Sequence, residues 1–482
     1  MMFEFDIAVI GAGAAGLSVA AVSAQLGLRT ALIERDVMGG DCLNTGCVPS
    51  KALLAAAHAV QDAQAAGRFG LHFAPPDIDW AAIQAHVHGV IAAIAPADSE
   101  ERFTGLGATV LRGEARFVGR STLAVTIGGT TRRITARRIV IAAGSRAAIP
   151  ALPGLDSVPF VTHERLFEIA ERPAHLLILG GGPIGLEMAQ AHAGLGCRVT
   201  VIEQASIAAR DEPELVAGLR AVLLAQGVVI IEGVKAARVE PSPLMEVGPV
   251  VVLADGRRIA GSHLLVAAGR RPNVESLDLA AGGVEAGPGG ILTDAGLRSR
   301  SNRRVYAAGD IAAPAGIGPR AFTHVCSYHA GIIIRRAIFR LPARVDYAAL
   351  PRVTYTAPEL AQVGLTEAEA RSAGHDIQVL RWSLAENDRA QAERQTEGAV
   401  KLVVTPKGRV LGAGILAPHA GEMVGAWTLA IARRIPLSAM AGMVVPYPTL
   451  AEAPKRAASS FFSPRLFAAR TQRLVRWLAL LP

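Results

Sequence analysis

The segment DIAVIGAGAAGLSVAAVSAQLGLRTALIE, residues 6–34, returns later in the chain as HLLILGGGPIGLEMAQAHAGLGCRVTVIE, residues 175–203. The two align without a gap. Gly11, Gly13 and Gly16 fall on Gly180, Gly182 and Gly185, Gly27 on Gly196, and Glu34 on Glu203. Each copy opens with an apolar run of strand type, turns on glycines, continues as an alanine-rich helix and ends in a second strand. That order is a βαβ unit with a G-x-G-x-x-G turn. The first glycine permits the tight turn, the second lets the backbone approach a pyrophosphate, and the third lets helix and strand pack closely. The helix N-terminus then offers unpaired N–H groups and the positive end of its dipole to an anion. One such motif also fits glycine-rich packing with no ligand. Two copies with a carboxylate at the same offset predict two dinucleotide sites.

The carboxylate that ends each second strand can accept hydrogen bonds from ribose hydroxyls. At the second site it also discriminates. A 2′-phosphate beside Glu203 is repelled, and QASIAAR delays the first arginine to Arg210. The second site is therefore expected to take NAD(H) in preference to NADP(H).

A chain of 482 residues exceeds the span of a single core and predicts two to four domains. MMFEFDIAVIGAG carries no basic n-region or cleavage site and reads as a core strand with no signal peptide. No stretch gives eighteen uncharged apolar residues, so no transmembrane helix is expected. The net charge of +8 comes from scattered arginine, with no basic run interleaved with aromatics. Nucleic acid is not an expected partner.

Two of the four cysteines, Cys42 and Cys47, lie in GGDCLNTGCVPSK, residues 39–51. Without a secretory signal, such a pair points to a reducing, cytoplasmic compartment and to redox or metal chemistry. A zinc site would need two more soft ligands, and no second C-x-x-C exists. Two independent buried thiols are another reading, and a reversible disulfide is the third. An ideal helix holds residues i and i+5 about 8–9 Å apart, and a disulfide needs Cα atoms within ~7 Å. The pairing therefore requires a distortion, which Gly46 can supply. PSKALLAAAHAVQDA reads as a helix with Pro49 in its first turn, placing Cys47 where a helix N-terminus lowers a thiol pKa.

GGDCLNTGCVPSK resembles the redox-disulfide motif of the flavoprotein disulfide reductases, the family of dihydrolipoamide dehydrogenase, glutathione reductase and mercuric reductase. IVIAAGS (139–145), GGGPIGLE (180–187), LLVAAGRRPN (264–273) and VYAAGDIA (305–312) follow in the family's order. The resemblance covers nearly the whole chain. It implies an α/β fold with two Rossmann-like domains, for FAD and NAD, and a C-terminal α+β dimerisation domain. The segments are 1–150 for FAD, 151–272 for NAD, 273–345 returning to the FAD side, and 346–482 for dimerisation.

On these residues, the resemblance puts Gly11, Gly13 and Gly16 on the FAD pyrophosphate and Glu34 on its ribose. Asp310 would bind the ribityl chain, with Gly144 and Ser145 near the cofactor. NADH would take Gly180, Gly182, Gly185 and Glu203, with Gly269 near the nicotinamide. Cys47 would face the flavin, Cys42 would meet the substrate, and Lys51 would pair with Glu187 beside the flavin's reactive nitrogen. Two solvated charges on unrelated helices are the plain alternative for that last pair. Electrons would pass from NADH through FAD to the Cys42–Cys47 disulfide and on to the acceptor. Cys197, Cys326 and His324 receive no catalytic role.

The chain departs from its relatives in VVPYPTLAEAPKRAA, residues 444–458. Tyr447 stands where dihydrolipoamide dehydrogenase and glutathione reductase carry the acid–base histidine, and Glu452 stands at the glutamate's place. Mercuric reductase has a tyrosine there. Pro183 replaces the usual gate tyrosine. The tail, SSFFSPRLFAARTQRLVRWLALLP, lacks mercuric reductase's cysteine pair, and no small metal-binding domain precedes the first strand. The expected activity is an NADH-dependent FAD/disulfide reductase acting on a soft metal ion or a small oxidised acceptor. The alternatives are a divergent dihydrolipoamide dehydrogenase and a flavin-binding redox sensor without turnover. A homodimer is expected, with the C-terminal domain completing the partner's site. Residues 464–481 are expected to form a helix with Arg470, Arg473 and Arg476 along one stripe and Leu474, Trp477, Leu478 and Leu481 beside it. Such a helix can cap the dimer or rest on an anionic membrane.

Overall fold

A computed structural model describes residues 3–242 and 248–481. The opening repeat folds as read: strand Phe5–Ile10, helix Ala14–Gln25, strand Thr30–Glu34. Both strands are apolar on both faces because helices and neighbouring elements cover both sides of a parallel sheet. Ala108–Arg112 and Thr30–Glu34 lie on one side of Phe5–Ile10, and Thr130–Ile141 on the other, all parallel. Val305–Ala307 adds in parallel beyond Thr130–Ile141, so the returning chain completes the first sheet.

One element does two jobs. The later half of Thr130–Ile141 belongs to the parallel sheet, and its earlier half pairs antiparallel with Thr122–Ile127, which pairs with Glu114–Gly119. The second repeat gives His175–Leu179, Pro183–Gly194 and Arg198–Glu203. Its parallel sheet runs Val228–Glu232, Arg198–Glu203, His175–Leu179, His263–Val266. A separate antiparallel sheet is made by Ala236–Pro241, Pro249–Leu253 and Arg258–Ala260. The chain passes between the two lobes at Ser145–Ala147 and Arg270–Pro272, which pair antiparallel. That pairing sets Gly144 and Ser145 opposite Asn273 and Pro272, and Gly269 opposite Ala148.

The C-terminal part is a five-stranded antiparallel sheet in the order Arg352–Thr354, Glu359–Gly364, Val410–Ala417, Ala399–Val404, Gln378–Ser383. Helices Ala420–Arg433 and Glu452–Ser460 pack on it. It is joined to the second lobe through Lys401, which is 5% exposed at its side chain. Lys401 Nζ lies 2.5 Å from Glu212, 2.9 Å from Glu367 and 3.2 Å from Glu214.

The expectation of no membrane-crossing helix is tested by one stretch, and the expected tail helix is corrected. One stretch, Trp80–Gly105, has the length and apolar composition to cross a membrane. Its unbroken α-helix is Trp80–Ile94, about 22 Å long against a hydrocarbon core of about 30 Å. A 3₁₀ turn, Ala95–Asp98, and an extended Ser99 interrupt it, and Trp80 Nε1 donates to Ile169 O at 2.9 Å. The tail is also not one helix over 464–481. It forms Ser463–Leu466 and Ala469–Leu478, separated by Ala468 in an extended conformation (φ −62°, ψ 147°).

Candidate active site

The two glycine turns are near-copies in three dimensions. Gly11 and Gly180 have φ of +102° and +119°, a region side chains avoid. A Cβ on Gly16 would meet Gly11 O at 1.8 Å, and one on Gly185 would meet Gly180 O at 2.0 Å. The third glycines therefore serve the packing of helix on turn. Neither lines the cavity, whose glycine walls at these turns include Gly11, Gly13, Gly180 and Gly182. Gly13 and Gly182 do line it, and a Cβ at Gly182 would point into open space. Neither following helix has a side-chain cap or an acidic residue in its first turn. Each thus keeps N–H groups for an anion.

The carboxylates repeat as well. Glu34 accepts from Ala12 N (2.6 Å) and Asp36 N (2.8 Å), and Glu203 accepts from Gly181 N (2.7 Å) and Ala205 N (2.9 Å). Each is locked in place by its own backbone with lone pairs to spare. One continuous cavity of about 2640 Å³ holds Glu34, Gly144, Ser145, Asp310, Glu203 and Gly269 on its walls. A typical small-ligand pocket has about 300–1,000 Å³, so this space suits two extended ligands. The residues fit a dinucleotide in each cradle. Arg210 and Lys235 line the same cavity as Glu203, which the linear distance of Arg210 from Glu203 did not suggest.

The cysteine pair sits between these cradles. Helix Gly40–Asn44 stops, Gly46 breaks the backbone (φ −115°, ψ −113°), and Cys47 begins helix Cys47–Ala65. This is the distortion that an i, i+5 pairing requires. A Cβ at Gly46 would meet Asp41 O at 2.9 Å, so the turn is also tight. Both cysteines are free thiols, close enough that each shifts the other's titration. Cys47 is exposed towards the cavity. The Cys42 thiol, the Thr323 hydroxyl and the Lys51 ammonium favour its thiolate and outweigh burial, so its pKa lies well below the usual value. Its charged partner and burial push the Cys42 thiol up in turn. Charge is thus favoured on Cys47 and the proton on Cys42.

Lys51 Nζ donates to Glu187 at 2.7 Å, and Glu187 is 5% exposed. The reading of two unrelated solvated charges is therefore excluded. Tyr355 N donates to the other Glu187 oxygen at 3.0 Å, and Lys51 lies 4.4 Å over the Tyr355 ring. Ser145 Oγ donates to Asp310 Oδ2 at 2.6 Å.

Four site residues escaped the sequence reading. Arg270 donates to Ser145 Oγ (2.7 Å) and to Asp41 Oδ2 (2.8 Å), and lies 3.4 Å from Asp310. His163 Nε2 lies 2.8 Å from Arg270 Nη1 and 3.0 Å from Asp41 Oδ1, and its tautomer decides which is the hydrogen bond. Burial raises the Asp41 pKa, but His163 and Arg270 outweigh it and hold the carboxylate charged. The residue before Cys42 is thus tied to both lobe crossings. The fourth is Thr323, first in helix Thr323–Ile333, with Oγ1 3.3 Å from Cys47 Sγ. A hydrogen bond to a charged group contributes about 1.5–3 kcal/mol, so Thr323→Val should move thiolate formation to higher pH by about one to two units. A pH titration of thiolate absorbance checks this, and an unchanged midpoint would remove Thr323 from the site.

Cys326 lines the cavity with its thiol pushed up to about 12 by burial. Cys197 is in the core, pushed up to about 11. His324 is bonded to Pro351 O. Tyr447 and Glu452 do not meet Cys42 and Cys47 within one chain. Tyr447 is 69% exposed and donates to Asp388 Oδ2 at 3.0 Å, and Glu452 opens helix Glu452–Ser460.

A thiol pair between two dinucleotide cradles, backed by the ion pair of Lys51 with the buried Glu187, defines a pyridine-nucleotide-dependent disulfide reductase. The chain belongs to the pyridine nucleotide-disulphide oxidoreductase family, whose model matches residues 5–348, with the family's dimerisation domain over 350–458. It is 37% identical to a mercuric reductase of Streptomyces lividans, covering 95% of this chain and 96% of that one. It is 33% identical to a dihydrolipoyl dehydrogenase of Geobacillus stearothermophilus, covering 94% and 96%. Among solved structures it is similar to a Cu(II) complex of the HOCl-induced flavoprotein disulfide reductase RclA of Escherichia coli. That likeness has a TM-score of 0.84 and 27% identity, covering 95% of this chain and 100% of that one. The protein is an enzyme of this family, and membership implies FAD and a pyridine nucleotide.

Proposed function

We propose that the enzyme uses NADH and FAD to keep Cys42 and Cys47 reduced and passes the electrons to a soft metal ion or a small oxidised acceptor. The observation that carries this reading is the polarised thiol pair, with charge favoured on Cys47 and the proton on Cys42. Bound FAD supplies two-electron transfer between the nicotinamide and the thiol pair. The chain does the rest. Gly11 and Gly13 admit the pyrophosphate, Glu34 the ribose, and Asp310, aligned by Ser145, the ribityl chain. Lys51 holds a positive charge near the thiols, and Glu187 fixes its position. Cys42, which keeps its proton, is the exchange thiol that meets the acceptor. Two thiols in contact are soft ligands of the kind that hold soft cations. The described relatives that act on mercury, and the neighbour bound to copper, support a metal acceptor.

The acceptor side is completed in a homodimer by Tyr447 and Glu452 of the partner subunit. The exposure of Tyr447 within one chain, on the matched dimerisation domain, supports this. A dithiol that must stay reducible and an NADH supply suit the cytoplasm. NADH turnover against Hg(II), Cu(II), small disulfides, quinones and lipoamide tests the reading. Consumption of NADH with none of them would overturn it.

Glu203, fixed by two backbone amides, supports NADH as donor. Glu203→Arg should move preference towards NADPH by about fivefold, since one exposed charge contact is worth about 1 kcal/mol. Arg210 and Lys235, which line the same cavity, keep the change small. The ratio of kcat/KM for the two nucleotides is the measurement, and a wild-type preference for NADPH refutes the role given to Glu203.

A further inference from the structure

The last helix, Ala469–Leu478, packs against the short helix Ser463–Leu466, and none of its residues is buried. Its large apolar side chains face outward: Leu474, Val475, Trp477 and Leu478 are all about half exposed, as is Leu481 beyond it. Phe467, at the bend before the helix, is 67% exposed. Folding a chain normally hides such side chains, and here a run of them is left in water.

The charges beside them are of one sign. Arg470, Arg473 and Arg476 follow at i, i+3 and i+6, and no Asp or Glu occurs after Glu452. A helix destined for a protein interface has no need to exclude every acidic residue. An anionic surface imposes that requirement. Short length, an arginine stripe, and Trp and Leu beside it are the composition of a helix that lies in the plane of a lipid interface. Long arginine stems can reach headgroups while Trp477, Leu474 and Leu478 enter the acyl boundary.

We propose that the tail of this enzyme is an interfacial anchor that binds anionic lipid surfaces weakly and reversibly. The inference is independent of the electron acceptor. The helix lies beyond the bend at Ala468 and packs on Ser463–Leu466, so that binding need not disturb the sheet on which Glu452–Ser460 packs. Attraction is strongest at low salt, because the Debye length falls to about 8 Å at physiological ionic strength.

The test is co-sedimentation of the intact FAD-loaded enzyme with vesicles of phosphatidylcholine containing about one-third phosphatidylglycerol, and with phosphatidylcholine alone. The wild type should partition at least about tenfold more strongly onto the anionic vesicles, and added salt should release it. R470E/R473E/R476E and L474A/W477A/L478A should each lose at least about tenfold of that binding. NADH turnover and sedimentation velocity confirm that both variants are folded. Equal binding to both vesicle types, no binding by the wild type, or binding unaffected by either variant overturns the proposal. Dissociation of the L474A/W477A/L478A dimer, with no vesicle binding by the wild type, assigns the apolar face to a second copy of the chain and overturns it as well.

Discussion

Cys42→Ser is expected to reduce turnover by about 10⁴-fold or more, the scale seen when a covalent nucleophile is removed, and to leave a spectroscopic trace of Cys47. The serine cannot exchange with an acceptor, yet its hydroxyl can still donate to Cys47. Thr323 and Lys51 remain in place, so the thiolate persists against the cavity. The FAD-loaded variant should therefore show a long-wavelength thiolate–flavin band with its flavin oxidised. Cys42→Ala removes the donor, and its band should appear only at higher pH. Cys47→Ser should abolish both band and turnover. Absence of the band from both the reduced wild type and Cys42→Ser would sink the polarised pair.

Tyr447→His is expected to raise activity with dihydrolipoamide by about 10²–10⁴-fold, the usual contribution of a positioned acid–base group. Oxidising a dithiol near neutral pH needs a base for a thiol proton. Histidine titrates near 6.5 and tyrosine near 10, and the Asp388 carboxylate that Tyr447 bonds pushes the phenol higher still. Tyr447 therefore keeps its proton at neutral pH; in the proposed dimer its hydroxyl would turn from Asp388 to donate to a bound thiolate, or its oxygen would contact a thiol-held metal. Tyr447→Phe should lower turnover with the true acceptor by about tenfold, the scale of one hydrogen bond. Wild-type dihydrolipoamide activity equal to that of a dihydrolipoamide dehydrogenase would refute the argument and favour that alternative function.

The features legible in the sequence are those whose causes are local. Gly11 and Gly180 must adopt positive φ, Gly46 must break a helix, and Glu34 and Glu203 end strands at a fixed offset. Neighbouring residues show each of these. The thiol pair and Lys51 share one segment, and the family resemblance supplied Glu187. What stayed hidden is assembled by tertiary structure. Asp41, His163 and Arg270 converge from three segments, and nothing in GGDCLN distinguishes an ion-paired aspartate from an exposed one. Thr323 was passed over beside Cys326 and His324, because only the packing of two helix N-termini shows which of the three faces Cys47. The tail bend at Ala468 has no glycine or proline to announce it. Asp388 became visible as a partner of Tyr447 only through the C-terminal fold.

The buried Lys401 has a bearing on how this protein tolerates sequence change. Of 49 basic residues only five are lysine, so arginine fills nearly every basic position. At Lys401 three carboxylates converge on one nitrogen. A compact ammonium points its three protons along separate directions, whereas a guanidinium is a flat fork. Arginine is too long and of the wrong shape for this enclosure. Lys401→Arg, a trivial exchange on most of this surface, is here a disruptive one. A compositional drift that favours arginine codons would meet a fixed point at this position.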